Sequence, residues 1–333
     1  MIAPGTETEK GMQAAGRPRR DPPGTDQADI AILARNLRKS YGSVTAVRGV
    51  DLTIRRGECF GLLGPNGAGK TTTIEILEGL TQRDAGEVSI LGMTWADDAR
   101  KIRSRLGIQL QETRLTGKQR VEEVVRLFRS FYEQGPTVAE LIDRVQLNEK
   151  RLAYVRELSG GQKQRLSIAC ALAGAPDILF LDEPTTGLDP QSRRALWDIC
   201  EGFRAEGGTI LLTTHFMDEA ERLADRIAIM DRGEILVEGS PTDLIDDLAG
   251  QHTIELEANV PLDPRELESL PSVRRAVVHG SRLFVTVDAA HLALPALMDF
   301  LSARDAELAM LHTHRATLDD VFLTLTGRQL RDE

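Results

Sequence analysis

At 333 residues, 41% of them hydrophobic and 28% charged, the chain has the length of about two domains and enough apolar side chains to bury a core. Its formal net charge of −10 weighs against sequence-independent binding of DNA or anionic lipid, which needs a basic face. Three widely spaced cysteines, Cys59, Cys170 and Cys200, with no CxxC among them, argue against a disulfide framework or a zinc site and fit buried, reduced thiols.

Residues 1–28 hold Gly, Pro, Thr and mixed charge with almost no large apolar side chain, so they are expected to form a disordered tail. The N-terminus shows no apolar h-region. The longest mostly apolar stretch, Leu166 to Leu181, is interrupted by Pro176 and Asp177 and falls short of the roughly 20 residues a spanning helix needs.

From about residue 30 the pattern becomes that of an α/β domain. Val50, Leu52 and Ile54 alternate, as do Val88 and Ile90, which predicts half-buried strands. CFGLL (59–63) is a short continuous apolar run, the pattern of a strand buried on both faces of a parallel sheet. It leads into Gly64, Pro65, Asn66, Gly67, Ala68, Gly69, Lys70, Thr71 and Thr72, and then into Ile74, Leu77 and Leu80 at helical spacing. This is G-x-x-x-x-G-K-[ST] in its strand–loop–helix setting. Glycines let the loop curl so that amide N–H groups point inward, and the following helix offers its positive end to a phosphate. Lys70 is the expected ligand of the β- and γ-phosphates, Thr71 places a hydroxyl on Mg²⁺, and Thr72 lies near the α-phosphate.

The stretch from about 93 to 172 reads as mostly helical. Thr116 and Gln119 make a capping-box pattern ahead of Val121, Val124, Val125 and Phe128, and Thr137 with Glu140 repeats it before Leu141, Ile142 and Val145. LSGGQ (158–162) opens the helix Lys163–Ala173, and its small residues expose N–H groups at a helix start, a second anion site. One chain cannot easily close both sites on one phosphate, whereas two chains placed head to tail can.

DILFLD (177–182) is a second buried strand, and ligands collect at the C-terminal ends of parallel strands. There Asp182 is expected to hold Mg²⁺ and Glu183 to act as general base toward water. Asp189-Pro190 caps a helix that Gly207-Gly208 ends. GTILLTT (208–214) is a third buried strand, ending in His215, assigned to the γ-phosphate and the attacking water. RIAIM and EILVEG flank Asp231-Arg232-Gly233, a hairpin turn. Composition shifts again near 240–252. Strand 253–260, helix 264–270, strands 273–279 and 282–288, helix 291–304, strand 307–313 and helix 317–327 follow, a βαββαβ order that suggests a small ferredoxin-like domain.

Over roughly residues 30–240 these motifs, in this order, resemble the ABC ATPase family. The resemblance implies an α/β P-loop NTPase cassette over 29–245, with a mixed-sheet core, an antiparallel β subdomain and a helical subdomain at about 93–172. A C-terminal α+β domain would occupy 252–333. It implies that Tyr41 stacks on adenine. It also implies that Gln111, rather than Gln109, senses Mg²⁺, water and the membrane subunit. LSGGQ becomes the signature, with Ser159, Gly160, Gly161 and Gln162 reaching the ATP of a second chain; Asp189 of GLD lies in the loop crossing the dimer, and His215 is the switch. Catalysis would rest on Glu183, His215, Lys70 and Gln111, and Mg²⁺ on Thr71, Gln111 and Asp182.

ATLDDVFLTLTGR (316–328) looks like the ending of the daunorubicin-resistance branch of bacterial drug-export ATPases, in which a separate protein carries the membrane helices. That implies an ATP-dependent homodimer held at the cytoplasmic face of the cell membrane by its partner, powering drug, antibiotic or lipid-like efflux. Leu318, Val321, Phe322 and Leu325 in the same segment also have the spacing of an amphipathic packing helix. The alternative is a soluble ABC ATPase acting on the ribosome or nucleic acid. Such relatives usually carry two cassettes or a long coiled coil, and neither is seen, so no nucleic acid partner is expected.

Overall fold

The computed structural model describes residues 27–109, 117–249 and 252–327. Strands β1 (Ile30–Tyr41) and β2 (Val44–Arg55) form an antiparallel hairpin. β3 (Cys59–Leu63) leads through the phosphate loop to α1 (Lys70–Leu77), and β4 (Ala85–Ile90) returns to pair antiparallel with β1. In β2 the alternating Val50, Leu52 and Ile54 are buried, as their period of two requires.

α2 (Trp95–Arg103) precedes β5 (Leu106–Gln109). A helical lobe follows, made of α3 (Val121–Arg129), α4 (Val138–Arg144) and α5 (Gly160–Ala171). The chain then alternates through β6 (Ile178–Asp182), α6 (Pro190–Ala205), β7 (Thr209–Thr214), α7 (Met217–Leu223), β8 (Arg226–Asp231) and β9 (Glu234–Gly239). The main sheet has the order β5-β6-β7-β3-β8-β9, parallel except for β9. Its inner strands β3, β6 and β7 are buried at every position, which explains their unbroken apolar runs.

Two local expectations are corrected. β5 lies within the stretch read as mostly helical; four residues are too few for a period to show. Helix α3 is not capped by the Thr116–Gln119 pattern. Thr116 lies outside the described residues, the Gln119 carbonyl accepts from Val155 N–H, and Glu123 Oε2 accepts the Arg120 N–H (2.8 Å) just ahead of the helix. The Thr137–Glu140 box is present in both directions at α4.

α8 (Pro241–Leu244) leads to β10 (His252–Ala258), α9 (Pro264–Leu267), β11 (Val273–His279), β12 (Arg282–Val287), α10 (Ala290–Ser302), β13 (Leu308–Arg315) and α11 (Leu318–Thr326). The four strands form a sheet β11-β12-β10-β13 with every neighbour antiparallel, a split βαβ arrangement. Leu267 of α9 and Ala293, Leu297 and Leu301 of α10 fill its apolar core. α11 packs elsewhere. Its Leu318, Val321 and Phe322 are fully buried against Leu63, Met217, Ala220, Ile227 and Ile229 of the first domain. The three cysteines are free and buried, and burial pushes the Cys59 and Cys170 thiols up to about 12. Among the described residues no helix is long and apolar enough to cross a membrane.

Candidate active site

β3 runs between β7 and β8 and delivers the phosphate loop to the C-terminal edge of the main sheet. Two of its glycines are obligatory. Gly69 has φ +103, and a Cβ there would stand 2.3 Å from the Ala46 carbonyl oxygen; at Gly64 it would stand 2.1 Å from that of Met230. Asn66 and Gly67 are exposed at the mouth of the loop, while Pro65 and Ala68 are buried beneath it. Lys70 Nζ donates to the carbonyls of Gly64 (2.8 Å) and Pro65 (3.2 Å), so the buried ammonium lies inside the curl of its own loop. Thr71 and Thr72 follow on the first turn of α1.

The ends of β6 and β7 bring the acidic and imidazole groups to this loop. Asp182 Oδ2 lies 3.5 Å from Thr71 Oγ1, and Asp182 Oδ1 accepts from Thr213 Oγ1. Burial raises the Asp182 pKa, and the Thr213 hydrogen bond opposes that shift. Glu183 adopts φ +47, uncommon for a residue with a side chain and a form of strain often found at active sites. Its N–H donates to Thr213 Oγ1 (3.0 Å). Glu183 Oε1 lies 3.7 Å from Lys70 Nζ, and Oε2 lies 3.3 Å from His215 Nδ1 and accepts from Thr186 Oγ1 (3.2 Å). Lys70, Thr71, Asp182, Glu183 and His215 are thus joined by direct contacts. Thr213, which binds both Asp182 and the Glu183 backbone, was not singled out from sequence; a hydroxyl two positions before His215 was the available signal.

Tyr41 is 49% exposed at the β1–β2 turn, with Lys39 Nζ 5.3 Å over its ring. The same hairpin carries Ala46, which abuts Gly69, so the ring stands on the strand pair flanking the loop. Gln111 lies outside the described residues; Gln109 is fully buried at the end of β5.

Ser159, Gly160, Gly161 and Gln162 form the start of α5. Ser159 N–H donates to Gln162 Oε1 (3.0 Å), and Gln162 N–H donates to Ser159 Oγ (3.3 Å), which fixes the helix tip. The helix starts at Gly160, three residues before the expected position. A Cβ on Gly161 would meet Ser192 Oγ at 2.4 Å, so this tip packs directly on α6. Asp189 caps α6, accepting from the N–H groups of Gln191 and Ser192 and from Ser192 Oγ (2.6 Å), and these bonds hold its carboxyl below the usual range. Ser159, Gly160 and Asp189 therefore form a second, exposed group.

The residues present suit a nucleotide triphosphate with a divalent cation. A loop curled on glycines of positive φ, a lysine and a helix N-terminus fit phosphates. The hydroxyl of Thr71 and the carboxylate of Asp182 are hard oxygen donors of the kind Mg²⁺ takes.

The family model for "ABC transporter" matches residues 47–186. The Nod factor export ATP-binding protein I of Cupriavidus pinatubonensis is 41% identical over 90% of this chain and 91% of its own length. The protein of the same name from Ralstonia nicotianae is 41% identical over 93% and 98%. Among solved structures, an ATP-binding subunit of an ABC transporter has TM-score 0.58 at 30% identity, covering 64% of this chain and 91% of that one. A dimeric ATP-binding cassette in a post-hydrolysis state, bound to ADP and Pi, has TM-score 0.57 at 28% identity, covering 63% and 98%.

Proposed function

Because this chain belongs to the ATP-binding subunits of ABC transporters, and is the ATP-hydrolysing subunit of an exporter, we propose that its strand-end cluster is the hydrolytic site. The observation that carries the reading is the placement of Glu183, with one carboxylate oxygen toward Lys70 and the other toward His215. Gly64 to Thr72 cradle the phosphates and Tyr41 stacks on the adenine. Thr71, Asp182 and Gln111 would hold Mg²⁺, which supplies positive charge against the phosphate oxygens. Glu183 takes a proton from water as the water oxygen bonds the γ-phosphorus and the bond to the ADP oxygen breaks. Lys70 and His215 stabilise the charge that develops on the γ-phosphoryl oxygens. In such reactions the protein contributes mainly position and charge.

The Ser159–Gln162 tip, exposed at Ser159 and Gly160, and Asp189 serve the ATP of a second copy of the chain, so turnover belongs to a head-to-tail homodimer. Export runs through a separately encoded membrane subunit, which holds the dimer at the cytoplasmic face of the cell membrane. Residues 29–245 form the ATPase domain and 252–333 an accessory region whose last helix, α11, packs back on the ATPase domain. The ending ATLDDVFLTLTGR supports the daunorubicin-resistance branch, with a drug, antibiotic or lipid-like compound as cargo; the curated relatives are named for Nod factor export.

Glu183→Gln tests the base. The variant is expected to bind ATP like the parent, to lose about 10²-fold or more in turnover, and to accumulate closed dimer on size exclusion. Turnover at the parent rate would remove Glu183 from this role.

A further inference from the structure

Glu219 is a carboxylate that the hydrolytic scheme does not use, and it is 0% exposed. It sits on the first turn of α7, four residues after His215. Acids in that position commonly cap their own helix, but here the Phe216 N–H is taken by Thr214 Oγ1 (2.9 Å). The Glu219 side chain turns into the protein instead. Trp197 Nε1 of α6 donates to Glu219 Oε1 (3.4 Å), and the carboxyl faces the hydroxyls of Thr185 and Thr214 and the charge of Arg193. Burying a carboxylate costs several kcal/mol unless it is well paired, so a group kept in such a place needs a return for it.

What surrounds it supplies that return. Thr185 lies two residues after Glu183, in the turn leading to Asp189. Trp197 and Arg193 belong to the helix that Asp189 caps. Thr214 is the residue before His215. One side chain therefore touches the loop that follows the base, the helix of the cross-dimer aspartate, and the strand end that carries the switch histidine. The contacts are incomplete. Glu219 Oε2, Thr185 Oγ1 and Arg193 Nε are buried, yet none completes a hydrogen bond among the described residues.

We propose that Glu219 is a positioning residue that ties the Thr185–Asp189 turn to the Thr214–His215 strand end and so sets His215 against Glu183. This rests on the reading of Glu183 and His215 as hydrolytic groups. It requires a hydrogen-bonding group at residue 219 rather than a negative charge, since the groups it faces are an indole N–H and two hydroxyls.

The test compares steady-state ATP hydrolysis by the full-length chain and its Glu219→Ala, Glu219→Gln, His215→Ala and His215→Ala/Glu219→Ala variants. Glu219→Ala is expected to lower kcat about tenfold or more with ATP KM within about twofold, and Glu219→Gln to recover to within about threefold of the parent. The double variant should be no slower than His215→Ala alone, because residues acting through one another are not additive. Parent-like kcat in Glu219→Ala overturns the proposal. So does a double variant showing the product of the two losses, or a Glu219→Ala defect in kcat, KM and melting temperature that Gln does not rescue. Unchanged turnover in His215→Ala would instead defeat the underlying role of His215, and this proposal with it.

Discussion

At Gly69 the backbone turns through φ +103, with the Ala46 carbonyl directly where a side chain would begin. Gly69→Ala adds a methyl 2.3 Å from that oxygen and 2.8 Å from Met230 Cε, and it forces a side chain into a conformation that disfavours one. The expected result is a loss of about 1–3 kcal/mol in stability and about tenfold or more in ATP affinity, read by thermal melts with and without nucleotide. This residue was legible because its function demands consecutive backbone positions, so the whole cradle is written in one short word. Asp182, Glu183 and His215 were legible as strand ends for a related reason: a buried apolar run that stops at a polar group points to the ligand edge. Thr213 and Glu219 were not, because what distinguishes them is the group that faces each, Asp182 of β6 for Thr213 and Trp197 of α6 for Glu219. A threonine within a strand, or a glutamate on a surface-looking helix, carries no mark of its partner.

Between elements, the joint of β13 and α11 carries a hydrogen-bonded pair, His314 and Asp320. Asp320 accepts from Thr317 N–H and Thr317 Oγ1 (both 2.9 Å) and lies 3.1 Å from His314 Nε2. That hydrogen bond is the main cause of a raised His314 pKa; burial opposes it, and Glu255 and Asp319 add to the rise. Raised in the folded state, His314 contributes stability that is fully present below its unfolded value of about 6.5 and is lost as pH climbs through the folded value. His314→Gln should therefore melt below the parent at about pH 6 and converge with it at about pH 9. A gap independent of pH would assign the effect to packing. The sequence showed the α11 stripe but not the surface it covers, since amphipathic spacing fixes which face is buried and says nothing of the neighbour. β5 was missed for want of length, and the α3 cap because a backbone N–H took the Glu123 carboxylate while the Gln119 carbonyl accepted from Val155 N–H in the turn Val155–Glu157.

For the molecule as a whole, the order of motifs along the chain was enough to give the cassette architecture, and the split βαβ order was enough to give the second sheet. The proposed head-to-tail homodimer makes a sharp prediction. Ser159→Arg places a long cation at the exposed start of α5, a different element from the phosphate loop. The variant should retain ATP binding as a monomer, within about twofold, and lose turnover about 10²-fold as a homodimer. Equilibrium binding and single-turnover hydrolysis check the two halves, and loss of ATP binding by the monomer would contradict a composite site.

The seating of Leu318, Val321 and Phe322 on the first domain gives the chain an insertion topology. The segment Ile245–Ala249, which leads into the four-stranded sheet, packs against α11, which leads out of it, so both attachment points lie on one surface. Everything from residue 252 to 315 is then a graft spliced between two anchored ends. A stop codon near residue 250 would strip a buried helix from the ATPase and leave an apolar scar, whereas excising the graft and rejoining its ends would not.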